Sequence, residues 1–209
     1  SQKRMIVVAP TGVAAINANG VTIHSFFQLA PGLLPKNDNK FQFSKHKINI
    51  MRSLDMLVID EISMVRCDLL DAIDHILRRF QNHNRPFGGV QLLMIGDLQQ
   101  LAPVASEEEW NILKTTYQTP YFFSSRAWTE TSFTTIELTK VFRQKNETFI
   151  SVLNKVRDNT IDQQTLDILN SRYIPDFRPQ DSEGYITLTT HNYQAQEINQ
   201  MHMDQLKTY

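Results

Sequence analysis

The stretch MLVIDEISMV, residues 56–65, runs four apolar residues straight into two adjacent carboxylates, Asp60 and Glu61. A short apolar run without polar alternation reads as a strand buried on both faces, the habit of a parallel sheet. MIVVA at 5–9 and QLLMIG at 91–96 read the same way. Between the second and third runs, apolar residues at 69, 70, 73, 76, 77 and 80 follow the three-four spacing of a one-sided helix over 68–80. Strands separated by helices give an α/β fold, a parallel sheet flanked by helices. Ligand sites of such sheets form beyond the carboxyl ends of the strands, which is where Asp60 stands. A carboxylate there suits a hydrated Mg²⁺, and a neighbour turned aside suits polarising a water. A strand stop followed by a helix N-terminus, where the dipole favours acids, explains the same pair. The pair by itself leaves both readings open.

Outward from this centre, SEEEW at 106–110 has the form of a capping box, Ser106 with Glu109, and predicts another helix. TTIEL at 134–138 and YITLTT at 185–190 read as strands. Phe149, Ile150, Val152, Leu153 and Val156 stripe a further helix, and Leu166, Leu169 and Tyr173 suggest the next. Segment 31–45 reads as an irregular insertion.

Apolar content of 41% and charged content of 21% over 209 residues are those of an ordinary globular chain with room for one large domain or two small ones. No run reaches the ~18 apolar residues of a membrane helix. The single cysteine, Cys67, excludes an internal disulfide framework and fits a reducing compartment, so a cytoplasmic location is expected. Net charge is only −1, yet residues 1–54 carry seven Lys/Arg against one acid, Asp38. A polyanion-facing surface and a solvated loop explain that asymmetry equally. The histidines other than His24 show no metal-binding spacing.

Four blocks carry the chemistry: VVAPTGVAAINANGVTIHSFF (7–27), the 56–65 stretch, PFGGVQLLMIGDLQQLAPV (86–104) and LTKVFRQ (138–144). In this order they resemble the superfamily-one DNA helicases of the Pif/RecD-like, 5′→3′ class. The resemblance implies a RecA-like P-loop NTPase motor. Residues 1–136 would form the first RecA-like ATPase domain, lacking its N-terminal part and bearing a small wedge-like insertion near 28–45. Residues 137–209 would begin a second RecA-like domain. The implied cofactors are ATP and Mg²⁺. Asp60 would hold the metal, Glu61 would act as general base, and Gln100 would contact the γ-phosphate. Arg143 would be an arginine finger, worth ~10³–10⁵ in rate in enzymes that use one, and Gln144 a weaker nucleotide-side contact. For DNA, the resemblance places Pro10, Thr11 and Gly12 against the strand backbone, with His24 nearby. It makes Phe26 a stacking aromatic, of a kind worth roughly 1–3 kcal/mol per base. Phe41 and Phe43 with Lys40, Lys45 and Lys47 would serve the wedge, though loop packing also explains them. The implied partners are single-stranded DNA and duplex junctions, and the implied settings are DNA repair, recombination and telomere maintenance, in the cytoplasm or on a bacterial nucleoid.

The phosphate loop G-x-x-x-x-G-K-[ST] is missing, for no Gly-Lys pair occurs in the chain. The expectation is therefore a central piece of a helicase, without measurable hydrolysis by itself. A degenerate, non-hydrolysing DNA-binding module of the same fold is the alternative. Loss of the strand leading into that loop would leave 56–60 as an unpaired apolar edge, through which isolated copies would self-associate.

Overall fold

The computed structural model describes residues 3–34, 43–177 and 183–205. The chain divides into two compact units, Ser1–Lys140 and Val141–Tyr209, where the sequence places a domain boundary after residue 136.

The first unit is built on a four-stranded, all-parallel sheet of order β2-β1-β3-β4. Its strands are β1 (Met5–Ala9), β2 (Val21–Thr22), β3 (Met56–Ile59) and β4 (Gln91–Met94). The helices α1 (Gly12–Asn17), α2 (Ile23–Phe27), α3 (Lys45–Arg52), α4 (Cys67–Phe80), α5 (Glu107–Leu113) and α6 (Arg126–Thr129) complete it. α4 falls where the apolar spacing puts it, and α5 opens with the expected reciprocal Ser106–Glu109 capping box.

Register decides what each sheet face meets. Ile6 pairs with Leu57 and Leu57 with Leu92, while Val8 pairs with Ile59 and Ile59 with Met94. Alternation along a strand puts these six side chains on one face. All six join the hydrophobic core, with Leu70, Ile73 and Leu77 of α4. The opposite face carries Met5, Val7, Val58 and Leu93, and it is not fully covered: Met5 is 55% and Leu93 43% exposed. β4 therefore alternates instead of being buried on both faces as its apolar run suggests.

The expected unpaired edge is also displaced. β3 is an interior strand, bonded to β1 on one side and β4 on the other; the outer edges among the described residues belong to β2 and β4. Strand β4 takes the place that the sequence reading gave to a missing neighbour of β3.

Polar ties fix the layers. Asp71 on α4 accepts the Ala127 amide at 2.9 Å and the Tyr117 hydroxyl at 2.8 Å, which locks α4 to α6. Gln81 just beyond α4 donates to the Met51 and Leu54 carbonyls at 2.9 and 2.7 Å. Phe87 is fully buried beside α4 and, with Gly88, turns the chain through the left-handed region into β4.

The second unit contains α7 (Glu147–Arg157), α8 (Gln163–Asn170) and α9 (Asn192–Gln205). Lys155 and Asp162 bridge the first two at 2.6 Å. The strands expected at 134–138 and 185–190 are not formed. Ile186 and Leu188 are 85% and 91% exposed, and no described strand offers them ladder partners. Alternating apolar residues propose a strand, but only a hydrogen-bonded neighbour makes one.

Candidate functional site

The carboxyl ends of all four strands bring the candidate residues of the first unit to one rim of the sheet. β1 leads into Pro10 and Thr11, whose hydroxyl caps α1 by accepting the Ala14 amide at 3.2 Å. β2 leads into α2, which carries His24 and is capped by Thr22. β3 ends in Asp60-Glu61, and β4 leads through Gly96 to Asp97 and Gln100.

At the β3 end the backbone is tightly held. The Asp60 amide donates to the Val8 carbonyl at 2.9 Å and the Ile62 amide to the Ile95 carbonyl at 2.9 Å. Between them Glu61 sits at φ 50°, ψ 47°, a left-handed conformation that turns the chain off the strand. Its amide donates to Asp60 Oδ1 at 3.0 Å, leaving Oδ2 for another ligand. The β3 and β4 tails approach so closely that a Cβ on Gly96 would stand 2.9 Å from the Ile62 amide nitrogen. This contact explains the glycine. Gln100 is exposed and donates to Asp97 Oδ2 at 3.1 Å. Asp97 Oδ1 in turn accepts the Gln99 amide at 3.0 Å. Asp97 thus orients Gln100.

The donor set fits Mg²⁺. That ion is held through one or two carboxylates together with phosphate oxygens and waters, not by a protein cage. Among the described residues no cluster of three or more His, Cys, Asp or Glu stands ready for a metal, so Asp60 would be the main protein ligand. Cys67 is no alternative nucleophile, because burial and the neighbouring Asp68 carboxylate push its thiol up to about 12.

Beside the rim lies a cavity of about 310 Å³ whose lining includes Pro10, Thr11 and His24. Burial, then the Arg66 cation, lowers the His24 pKa, with Asp68 partly opposing. His24 is accordingly a neutral imidazole at pH 7. Gly12, at the first turn of α1, has open space where a Cβ would project.

Phe26 does not join this wall. It is 4% exposed, edge-on to Phe27 at 4.8 Å, with the Lys47 ammonium 4.4 Å from its ring centre. A ring so enclosed offers no face to a base, so the stacking role is corrected to a core role. The three-four spacing of Ile23, Phe26 and Phe27 on α2 already points inward. Phe43 packs edge-on against Phe80 at 5.3 Å, which favours loop packing over a wedge. Lys40 and Phe41 lie outside the described residues.

Arg143 and Gln144 belong to the second unit. Arg143 is exposed; Gln144 Oε1 accepts the Lys145 and Asn146 amides at 2.8 and 3.0 Å, ahead of α7.

The sequence reading gives no site role to Arg66 or Asp68 and only a capping role to Glu109. Arg66 donates to Asp68 through Nε and Nη2 at 2.6 and 3.0 Å, to Glu109 through Nη1 at 3.0 Å, and to the Gly32 carbonyl through Nη2 at 2.7 Å. The available signal was an arginine two residues before an acid at a helix start, which is common and unspecific.

Residues 1–167 match the family described as PIF1-like helicase. The chain belongs to the PIF1-like helicase family. Over 167 residues it is 39% identical to the ATP-dependent DNA helicase PIF1 of Saccharomyces cerevisiae, covering 78% of this chain and 19% of that protein. It is 39% identical over 158 residues to the human ATP-dependent DNA helicase PIF1, covering 73% of this chain and 23% of its relative. A Pif1 helicase from Bacteroides, solved in complex with ADP-AlF3 and single-stranded DNA, superposes with a TM-score of 0.91 at 40% identity. That match covers 100% of this PIF1-like chain and 49% of the solved one. The Pif1 helicase of Candida albicans gives a TM-score of 0.78 at 34% identity, covering 98% of this chain and 45% of that structure. This PIF1-like chain thus has the RecA-like α/β architecture of its neighbours. It spans about a fifth of the length of the curated relatives and about half of the solved chains.

Proposed function

We propose that this chain carries the metal-holding, water-activating and DNA-facing parts of an ATP-dependent 5′→3′ DNA helicase. Such a motor couples hydrolysis to translocation on single-stranded DNA and to duplex unwinding. The observation that carries the reading is the convergence of Asp60-Glu61 and the Asp97–Gln100 pair on adjacent strand ends, with Thr11 and His24 on the same rim. When bound, Mg²⁺ neutralises charge developing on the transferred phosphoryl group. Asp60, whose Oδ1 accepts the Glu61 amide, would be the residue that holds it. Glu61, turned away from the strand direction by its left-handed backbone, orients the attacking water and takes its proton. Gln100, held by Asp97, meets the terminal phosphate with a neutral donor, and Arg143 serves as the arginine finger. Such positioning and electrostatics are most of what phosphoryl transfer needs. Pro10, Thr11, Gly12 and a neutral His24 take the DNA backbone through hydrogen bonds and close approach instead of through formal charge. Copies of the isolated chain associate through the open sheet face that carries Met5 and Leu93.

The test is hydrolysis stimulated by single-stranded DNA in the protein extended to the length of its relatives. Glu61→Gln should lower it by ~10²–10⁴, the usual contribution of a general base. A loss under about tenfold would remove Glu61 from that role.

A further inference from the structure

We propose that Arg66 is a positioning residue for DNA: its guanidinium pins the strap at 28–34 and so sets the width of the cavity faced by Pro10, Thr11 and His24. This rests on the DNA-binding reading of that rim and adds the element that shapes it.

The argument begins with the strap. It leaves α2 through Gln28 in the left-handed region and turns again at Gly32, φ +99°. Pro31, Gly32 and Leu34 form one wall of the cavity, and Pro10, Thr11 and His24 contribute another part of its lining. A segment of irregular backbone has little to hold it in place unless its carbonyls find partners. The Gly32 carbonyl finds Arg66 Nη2 at 2.7 Å. The same guanidinium is clamped from behind by the two Asp68 oxygens at the start of α4 and by Glu109 of the α5 capping box. One planar fork therefore joins three segments distant in sequence.

Four hydrogen bonds from five available donors leave Arg66 poorly suited to be a phosphate ligand itself. Its side chain is only 11% exposed and two carboxylates surround the guanidinium, those of Asp68 at 7% and Glu109 at 23%. Charge is largely cancelled locally; what remains is geometry. Lysine cannot supply that geometry, since an ammonium is a point donor and not a planar fork. Sequence pattern is silent on such a role, because the partner on the strap is a backbone carbonyl.

The experiment uses this chain and a fluorescent oligodeoxythymidine of about ten nucleotides, within the ~4–16 nucleotides typical of single-strand sites. Anisotropy is recorded across a salt series, with hydrogen exchange of the 28–34 amides alongside. Arg66→Lys should weaken binding about tenfold, the scale of one lost charged hydrogen bond that holds the wall in place. Its salt slope should stay that of the unaltered chain. Strap amides should exchange faster while those of β1 and β3 do not change. Gly32→Ala strains the same wall through its φ without a steric clash, so it should give a similar loss. The double variant should then lose less than the sum, as groups in one network do. A purely structural Arg66 would instead lower the melting temperature, speed exchange throughout, and give additive losses. Unchanged affinity in Arg66→Lys overturns the inference. So does a salt slope reduced by ~0.7, the mark of a lost phosphate contact on single strands. If the unaltered chain fails to bind the oligonucleotide, the DNA-binding reading falls first and this inference with it.

Discussion

At φ 50° and ψ 47°, Glu61 holds a backbone that glycine adopts freely and a residue with a Cβ adopts at a cost of ~1–2 kcal/mol. The chain accepts this cost where it leaves the strand direction at the end of β3. Glu61→Gly should therefore melt higher than Glu61→Ala, by about 1 kcal/mol in stability, although both lose the carboxylate. Equal melting temperatures would show that the left-handed turn carries no strain. His24 offers a second test. Burial and the Arg66 cation lower its pKa below the ordinary 6.5, so the unfolded chain binds a proton more readily than the folded one. Stability linked to His24 is complete above pH 6.5 and lost as pH falls from there through the folded value. The His24 ring protons should titrate below 6.5 in NMR, and Arg66→Gln should move the midpoint upward. That substitution removes a lowering charge and leaves the Asp68 carboxylate unpaired; a downward move contradicts the electrostatic account.

Among the elements, α4 and the turn at 86–89 act as one piece. Asp74 accepts Arg78 Nε at 2.8 Å and the Phe87 amide, and Arg78 reaches Glu130 at 2.7 Å. A Cβ on Gly88 would lie 2.6 Å from the Leu77 carbonyl and from the Gln81 Cβ, at φ +66°. Gly88→Ala should cost more than ~2 kcal/mol, because clash and strain act together. Gly12→Ala is the control: nothing lies within 4 Å and the site opens a helix, so stability should hold or rise slightly. If the DNA backbone approaches Gly12, the same variant should bind a single strand more weakly while melting normally. Unfolding titrations and anisotropy on both variants separate the two glycines. The contrast shows what was legible. Both glycines stand in recognisable motifs; the motif order indicated the family, and the apolar runs and spacing indicated β1, β3, β4 and α4. Spacing could not say that Asp97 steers Gln100, or that Arg66 bonds a carbonyl on a distant strap. Each depends on which groups meet in space.

On the scale of the whole molecule, the misplaced edge is instructive. The sequence shows three apolar runs but not their order, and order β2-β1-β3-β4 makes the Asp60 strand interior. That placement braces the Asp60 end of β3 from both sides and moves the exposure elsewhere. The sheet face bearing Met5 and Leu93 is open, and Val13 and Ile16 of α1 are exposed as well. Parallel sheets are ordinarily covered on both faces, and apolar side chains left exposed on one of them would favour association. Extended segments at 134–138 and 185–190 expose Ile136, Leu138, Ile186 and Leu188 without forming ladders. They would be a second source of association, separable from the first by mutation. Leu93→Lys places a charge on the open face at a position 43% exposed, so it should not disturb the core behind β4. In sedimentation velocity the unaltered chain should show mass rising with concentration, and Leu93→Lys should shift it toward monomer at unchanged melting temperature. A parallel Leu188→Lys variant reports on the extended segments. If only that one disperses the chain, association runs through unformed strands and the sheet face is not the interface. A monodisperse monomer of the unaltered chain would remove both surfaces from consideration.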